Sequence, residues 1–187
     1  RMGHTRWHLN PSRVLGIEPA TEQALTVCSK QTTGFDGGEY CIIWLGPEFP
    51  GDQRDDDADS LTFDSPALEE DLDVAGQPVL DLCFSVDCPV AHIAVRLGDV
   101  WPSGEVSRIT YHLQNLCMRE SRETPSALVP GQRYRMRIKL DDIACRVPRG
   151  HRLRVSISTS YFPLMWPAPE PVTLTVFAGA TSIQVPV

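Results

Sequence analysis

The chain has 187 residues, a formal net charge of −7 and a hydrophobic fraction of 42%. This length is enough for one domain with a substantial core, since a chain of this size buries roughly 70% of the surface of its unfolded state. The Lys and Arg residues are scattered among acids, and no apolar run approaches the ~20 residues of a membrane helix. We therefore expect a soluble, cytoplasmic protein with no signal peptide, no nucleic-acid partner and no membrane partner.

The first 50 residues are irregular, because Pro11, Gly16 and Pro19 interrupt short apolar pieces. This pattern predicts a connector with at most one short strand, and an apolar stretch at residues 39–45 that packs against a neighbour. The chain opens on Arg1 and soon reaches ordered-looking sequence. We therefore expect a fragment of a longer protein.

An acid run follows at residues 52–59. Three of its aspartates have the 1, 3, 5 spacing of a calcium loop: Asp55, Asp57 and Asp59. Ser60 replaces the required Gly, however, and Pro66 stands where the twelfth-position Glu should be. The failed motif favours a solvated linker partly paired with Arg54, and we predict no metal site.

From residue 60 onward the sequence alternates between apolar and polar residues in short stretches separated by turn signals. The alternating stretches are residues 60–63, 71–74, 79–86, 89–98, 105–116, 133–140, 143–147, 150–160, 172–176 and 183–187. Gly98 indicates a bulge, and Ile109, Tyr111 and Leu113 are in phase on one face. We expect eight or nine strands and no convincing amphipathic helix, which predicts an all-β sandwich or barrel with antiparallel pairing.

The strand at residues 150–160 leads into a stiff aromatic loop. Ser156, Ser158 and Ser160 should lie on the outward, polar face of that strand. The loop carries four prolines between residues 163 and 171, so it is neither helix nor central strand. Its candidate site residues are Tyr161, Phe162, Met165 and Trp166. They could cap the core locally, stack on a sugar ring or contact another domain.

No residue pattern in the chain supports catalysis. There is no G-x-S-x-G nucleophile elbow, and the spacing of the five histidines gives no support to a triad. His151 reads as an edge or turn histidine that bonds backbone. The cysteines contain no C-x-x-C pair, which favours reduced thiols and predicts no cofactor. They are Cys28, Cys41, Cys83, Cys88, Cys117 and Cys145.

Several ordered segments together resemble a known family. They are residues 52–54 and 60–68, 71–76, 96–104, 130–131 and 150–171. In this order they resemble the C-terminal domain of the X-Pro dipeptidyl-peptidase and cocaine-esterase-like (CocE/NonD) serine hydrolases, over roughly residues 50–176. The resemblance implies a jelly-roll, galactose-binding-like β-sandwich at residues 51–187, behind a connector at residues 1–50 from an upstream α/β-hydrolase domain. The family's catalytic triad belongs to that upstream domain, and no position here matches it.

The resemblance implies a non-catalytic domain that braces and shapes the active-site region of its parent enzyme. Its partner would be the α/β-hydrolase catalytic domain of the same chain, and the isolated fragment could form a homo-oligomer through its exposed contact surface. A carbohydrate-binding module, suggested by Trp101, Trp166 and Tyr161, is the alternative. A third hypothesis is that the fragment is itself an esterase.

Overall fold

The computed structural model describes residues 3–38 and 49–187, and this part of the chain is almost entirely β. In chain order the strands are β1 His4–Leu9, β2 Leu15–Gly16, β3 Gln23–Val27, β4 Leu61–Asp64, β5 Leu72–Gly76, β6 Val79–Val86, β7 His92–Val100, β8 Val106–Asn115, β9 Tyr134–Lys139, β10 Ile143–Val147, β11 Arg152–Ser158, β12 Leu174–Ala178 and β13 Ser182–Pro186. Helix α1 spans Arg54–Ala58, and two single 3₁₀ turns lie at Phe35–Gly37 and Leu116–Met118. None of the helices described is long and apolar enough to cross a membrane. The apolar stretch 39–45, predicted to pack against a neighbour, lies outside the described residues.

The larger sheet has seven strands and is built around β6. One edge of β6 pairs with β9, and its other edge pairs with β12 and β13 in succession. Strand β3 extends the sheet beyond β12, while β1 and then β2 extend it beyond β13. Next to the pairing of β1 with β13, Gly3 and Val187 exchange two backbone hydrogen bonds of 2.7 and 3.1 Å.

The prediction of at most one short strand before residue 50 is therefore wrong. β1 and β3 are weakly patterned, but each is a partner for a strand from the other end of the chain. Their half-buried apolar residues Trp7, Leu25 and Val27 pack against the main core. The division of the chain into connector and sandwich at residue 50 stays a prediction.

The second sheet has four antiparallel strands in the order β4-β11-β7-β8, and a separate ribbon is formed by β5 and β10. The register between β7 and β8 shifts between Leu97 and Gly98, where the bulge was predicted, but the extra residue is Ile109 of β8 and not Gly98. Between the two main sheets lies one apolar core that contains the alternating residues of β6, β7 and β11. These include Leu80, Leu82, Phe84, Ile93, Val95, Leu97, Leu153, Val155 and Ile157. The prediction of an all-β sandwich is confirmed.

The bulge reverses the phase of β8. Ile109 packs on the main core, whereas Tyr111 and Leu113 pack on the opposite side of the sheet with Tyr161 and Met165. The prediction that Ile109, Tyr111 and Leu113 share one face is therefore wrong, because an extra residue in a strand shifts the alternation that follows it.

Candidate functional site

The outer face of the four-stranded sheet is covered by three segments, residues 28–38, 53–60 and 159–166, which we call the covering layer. Alternation along β7 and β11 puts Arg96, Ser156 and Ser158 on this face, away from the core. Each of the three is at most 2% exposed. The prediction that Ser156 and Ser158 lie on the outward, polar face of the strand is therefore confirmed, but the covering layer buries that face.

Arg96 is the central charge beneath the covering layer. Its Nη2 atom donates to Asp57 Oδ1, in α1, at 2.9 Å and to Ser60 Oγ, just after α1, at 2.7 Å. Its guanidinium also lies 4.9 Å from the centroid of the Tyr161 ring, a cation–π distance. One arginine of the sheet thus holds both α1 and the aromatic loop.

Asp57 bridges two arginines. Besides Arg96, it accepts a 3.1 Å hydrogen bond at Oδ2 from Arg154 Nη1, while Arg154 binds Asp64 in bidentate fashion at 2.6 and 2.7 Å. These two carboxylates raise the pKa of Arg154, the hydrogen bonds to Asp64 contributing most. The prediction that the acid run is solvated is wrong for Asp56 and Asp57, which are buried, whereas its predicted pairing with Arg54 is confirmed by the hydrogen bond from Arg54 Nε to Asp52 at 2.7 Å.

Asp56 connects α1 to the segment before it. Its carboxylate accepts hydrogen bonds from the backbone N–H groups of Gly34, at 2.6 Å, and Asp36, at 3.2 Å. Burial raises the pKa of Asp56 despite these donors and the neighbouring Arg96. Gly34 itself has a φ of 120°, and a Cβ there would lie 2.5 Å from the backbone of Tyr161 and Phe162. Three segments of the covering layer therefore meet at a position that only glycine can occupy.

Tyr161 fixes the aromatic loop from below. It is fully buried, its hydroxyl donates to Gln53 Oε1 at 2.7 Å, and the same oxygen accepts from Arg108 Nη1 at 2.9 Å. Burial raises the pKa of the Tyr161 phenol. Phe162 continues the attachment, because its backbone N–H donates to the Thr33 carbonyl at 2.7 Å.

Above this base lie three rings, the half-buried Phe162 and the exposed Phe35 and Trp166, which we call the aromatic patch. Phe162 contacts both others edge-on, with ring centroids 5.8 Å from Phe35 and 5.6 Å from Trp166. Phe35 is 65% exposed and Trp166 is 78% exposed. Of the four loop residues predicted to contact another domain, the structure thus places Phe162 and Trp166 in the patch. It buries Tyr161 and Met165 beneath them.

The remaining polar candidates have structural partners. His151 Nδ1 lies 2.8 Å from Asp99 Oδ1, and its ring packs 5.2 Å from that of Trp101, so the prediction that it bonds backbone is wrong. The hydroxyls of Ser158 and Ser160 donate to backbone carbonyls. Cys41 lies outside the described residues, and the other five cysteines are free thiols.

Sequence reasoning missed Arg96, Asp56 and Phe35 as parts of this site. A charged residue at position 96, inside an otherwise apolar strand, was the one signal available. A buried strand tolerates such a charge only if an opposite charge covers it.

The fold and the site together define the class of the protein: an all-β sandwich domain that presents an aromatic surface. Its architecture recurs in solved structures of larger enzymes. An aminopeptidase from a marine sediment Thaumarchaeota archaeon superposes with a TM-score of 0.84 at 23% identity, over 98% of this chain and 36% of that one. A CocE/NonD family hydrolase from Staphylococcus aureus superposes with a TM-score of 0.74 at 13% identity, over 100% of this chain and 37% of that one.

The chain belongs to the family of X-Pro dipeptidyl-peptidase C-terminal non-catalytic domains, whose family model matches residues 3–185. A curated relative, the cocaine esterase of Rhodococcus sp. (strain MB1 Bresler), is 27% identical over 128 residues, which is 67% of this chain. The chain spans 22% of the length of that relative and about a third of the length of the solved structures. The predicted family is confirmed.

Proposed function

We propose that this domain braces the catalytic domain of a serine hydrolase, of dipeptidyl-peptidase or acyl-esterase type, and that the aromatic patch is its contact surface. One observation carries the proposal: the exposed rings of Phe35 and Trp166 are held beside the half-buried Phe162 over a buried ionic network, instead of being folded into the core. Rigid aromatic side chains bury area at low entropy cost, which is why they are enriched at the centres of protein interfaces. Interfaces between domains of one chain bury about 600–1,500 Å².

The share of the relatives that this chain covers supports the proposal. Some two thirds of each solved enzyme lies outside the matched domain, so a domain of this family has a large neighbour in its own chain. The jelly-roll, galactose-binding-like topology and the cytoplasmic location remain part of the same proposal. The isolated domain is expected to be inactive, and turnover of nitrophenyl acetate that a serine-directed phosphonate blocks would contradict this.

The test uses the full-length parent enzyme with the double substitution Phe162→Ala and Trp166→Ser. We expect loss of the domain contact to split one cooperative thermal transition into two and to lower kcat/KM, because the active-site region loses its brace. Trp101→Ser is the matched control, since Trp101 is 45% exposed but lies outside the patch. If the double variant and the control both keep the wild-type transition and kcat/KM, the patch is not the contact surface.

A carbohydrate-binding function is the second candidate, and the surroundings of Trp101 favour it. This half-exposed indole lies on the wall of a cavity of about 360 Å³ that Asp99, Arg108 and Arg146 also line. Tyr161 is buried and cannot stack on a sugar, so a sugar site would rest on Trp101 or Trp166. Titration with a panel of mono- and oligosaccharides decides the matter. Saturable binding that Trp101→Ala or Trp166→Ala abolishes would establish this function.

A further inference from the structure

The two main sheets leave an open cavity between their edges. Strand β8 pairs only with β7 and β9 pairs only with β6 in the part of the chain that the structure describes, so each is an edge strand. A cavity of about 300 Å³ lies between them, within the size range of small-molecule sites. We call it the edge cavity.

The inner side of the edge cavity is polar where a sandwich is expected to be apolar. In the register, His112 is opposite Val95 and Gln114 is opposite Ile93, and both partners belong to the main core. Residues opposite each other in a strand pair share a face, so His112 and Gln114 point between the sheets. Gln114 is only 9% exposed. The bulge in β8 opposite Gly98 causes this, because without it Tyr111 and Leu113 would occupy the inner face.

The rim of the edge cavity is cationic. Arg122, Arg137 and Lys139 line it, and no carboxylate lies within 4.0 Å of any of the three among the described residues. One acid also lines the cavity, Glu120, and it lies 3.8 Å from Arg119. In a chain of net charge −7, this is a local excess of positive charge.

The walls supply apolar contact as well. Met118 and Met136 line the cavity beside Ile138, and Met118 is 37% exposed. Thioether side chains adapt to irregular apolar ligands. A ligand with one anionic group and a short apolar body would place the anion at the rim and its body against these side chains.

We propose that the edge cavity binds a small organic anion that carries a carboxylate or phosphate group. Arg122, Arg137 and Lys139 hold the anionic group, and the methionines contact the apolar part. On the inner side Gln114 donates to the Asn115 carbonyl at 2.6 Å and lies 3.4 Å from His112 Nε2, so it orients His112, which is the hydrogen-bonding group that faces the ligand. The proposal is independent of the aromatic patch and of the parent enzyme's chemistry.

Isothermal titration of the purified chain with three probes tests the proposal: sodium hexanoate, sodium acetate and inorganic phosphate. We expect saturable binding of hexanoate or phosphate. If hexanoate binds more tightly than acetate and phosphate, the ligand of the cavity is a carboxylate with an apolar body. If phosphate binds more tightly than hexanoate, the ligand carries a phosphate group.

The test variant is the double substitution Arg137→Gln and Lys139→Gln, which removes two exposed charges. Binding should weaken about tenfold or more, which corresponds to about 1.4 kcal/mol, because the anion loses two cationic hydrogen-bond donors at the rim. The control, Arg135→Gln with Arg149→Gln, removes the same charge from exposed residues that do not line the cavity, and it should bind as the wild type does. Met118→Ala should weaken hexanoate and leave phosphate unchanged. Equal weakening in the double variant and the control, or no saturable binding of any probe, would overturn the proposal.

Discussion

Asp57 is a short carboxylate that satisfies two arginines of the sheet at once, Arg96 and Arg154. Its side chain is 4% exposed, so solvent hardly screens these contacts. A buried ion pair contributes little net stability when it is intact. Removing one partner, by contrast, leaves an uncompensated charge in a medium of low dielectric constant.

We therefore expect Asp57→Ala to lower the free energy of unfolding by about 3–5 kcal/mol, since Arg96 would keep its charge without its closest carboxylate. Urea denaturation followed by circular dichroism measures this difference. Asp55→Ala is the control, because Asp55 is an exposed acid of the same helix. Its effect should stay within about 0.5 kcal/mol. Similar losses in the two variants would mean that the buried pair is not what holds the covering layer.

Tyr161 gives the chain a distinct response to alkaline pH. Burial raises its pKa in the folded chain above the ordinary value of 10.0, so the folded chain keeps a proton that the unfolded chain releases. The contribution of Tyr161 to stability is thus fully present below pH 10 and falls as the pH rises from there toward the raised pKa. Tyr161→Phe removes this titration and should flatten the alkaline decline.

At neutral pH the same variant should lose about 1–2 kcal/mol, because Gln53 and Arg108 each lose a hydrogen-bond partner. Unfolding curves of wild type and Tyr161→Phe between about pH 8 and pH 11 measure both effects. If the free energies of unfolding of the two proteins change with pH in parallel across this range, the pKa of Tyr161 is not raised by burial.

Among the elements, those with strong alternation could be predicted from the sequence, and those that depend on distant partners could not. β6, β7 and β11 alternate cleanly, and the core residues predicted in them are buried. β1 and β3 carry weak patterns because their pairing comes from β13 and β12, far away in the chain. The burial of the acid run was not predicted, because three successive aspartates, residues 55–57, are typical of a segment exposed to solvent. Only the fold shows that Arg96 lies beneath two of them, Asp56 and Asp57.

The covering layer depends on close approach of two backbones at Gly34. We expect Gly34→Ala to destabilise the chain by clearly more than Gly104→Ala, because a Cβ at position 34 would collide with the backbone of Tyr161 and Phe162. Both glycines have positive φ, but nothing lies within 4 Å of a Cβ at position 104. At position 104, alanine should lower the free energy of unfolding by only roughly 1–2 kcal/mol, the cost of a non-glycine residue at positive φ.

Urea midpoints of the two glycine variants give the comparison, and Trp166 fluorescence reports displacement of the loop. Gly34→Ala should also change the emission, since Phe162 contacts Trp166 directly. If the two variants have equal midpoints and unchanged emission, the covering layer tolerates the shift and does not position the patch.

For the molecule as a whole, the exposed aromatic patch predicts that the isolated domain self-associates. Two copies can bury Phe35 and Trp166 against each other when the proposed catalytic domain is absent, as large exposed apolar patches favour association. Sedimentation velocity over a range of concentrations should show reversible association. Phe35→Ser with Trp166→Ser should weaken it, and Trp101→Ser should leave it unchanged. A strict monomer at high concentration would count against an adhesive patch.

The hydrogen-bonded pair of Gly3 and Val187 gives the sandwich a direction of mechanical weakness. β1 and β13 are antiparallel and meet beside this pair, so tension applied between residues 3 and 187 loads their bonds one after another, as in a zipper. Tension along the strands would instead stretch all these hydrogen bonds at once, and a much greater force would be needed to separate the strands. β6 is held on both edges and is not loaded at first. Under such a pull the seam between β1 and β13 should open at low force, before the core is disturbed.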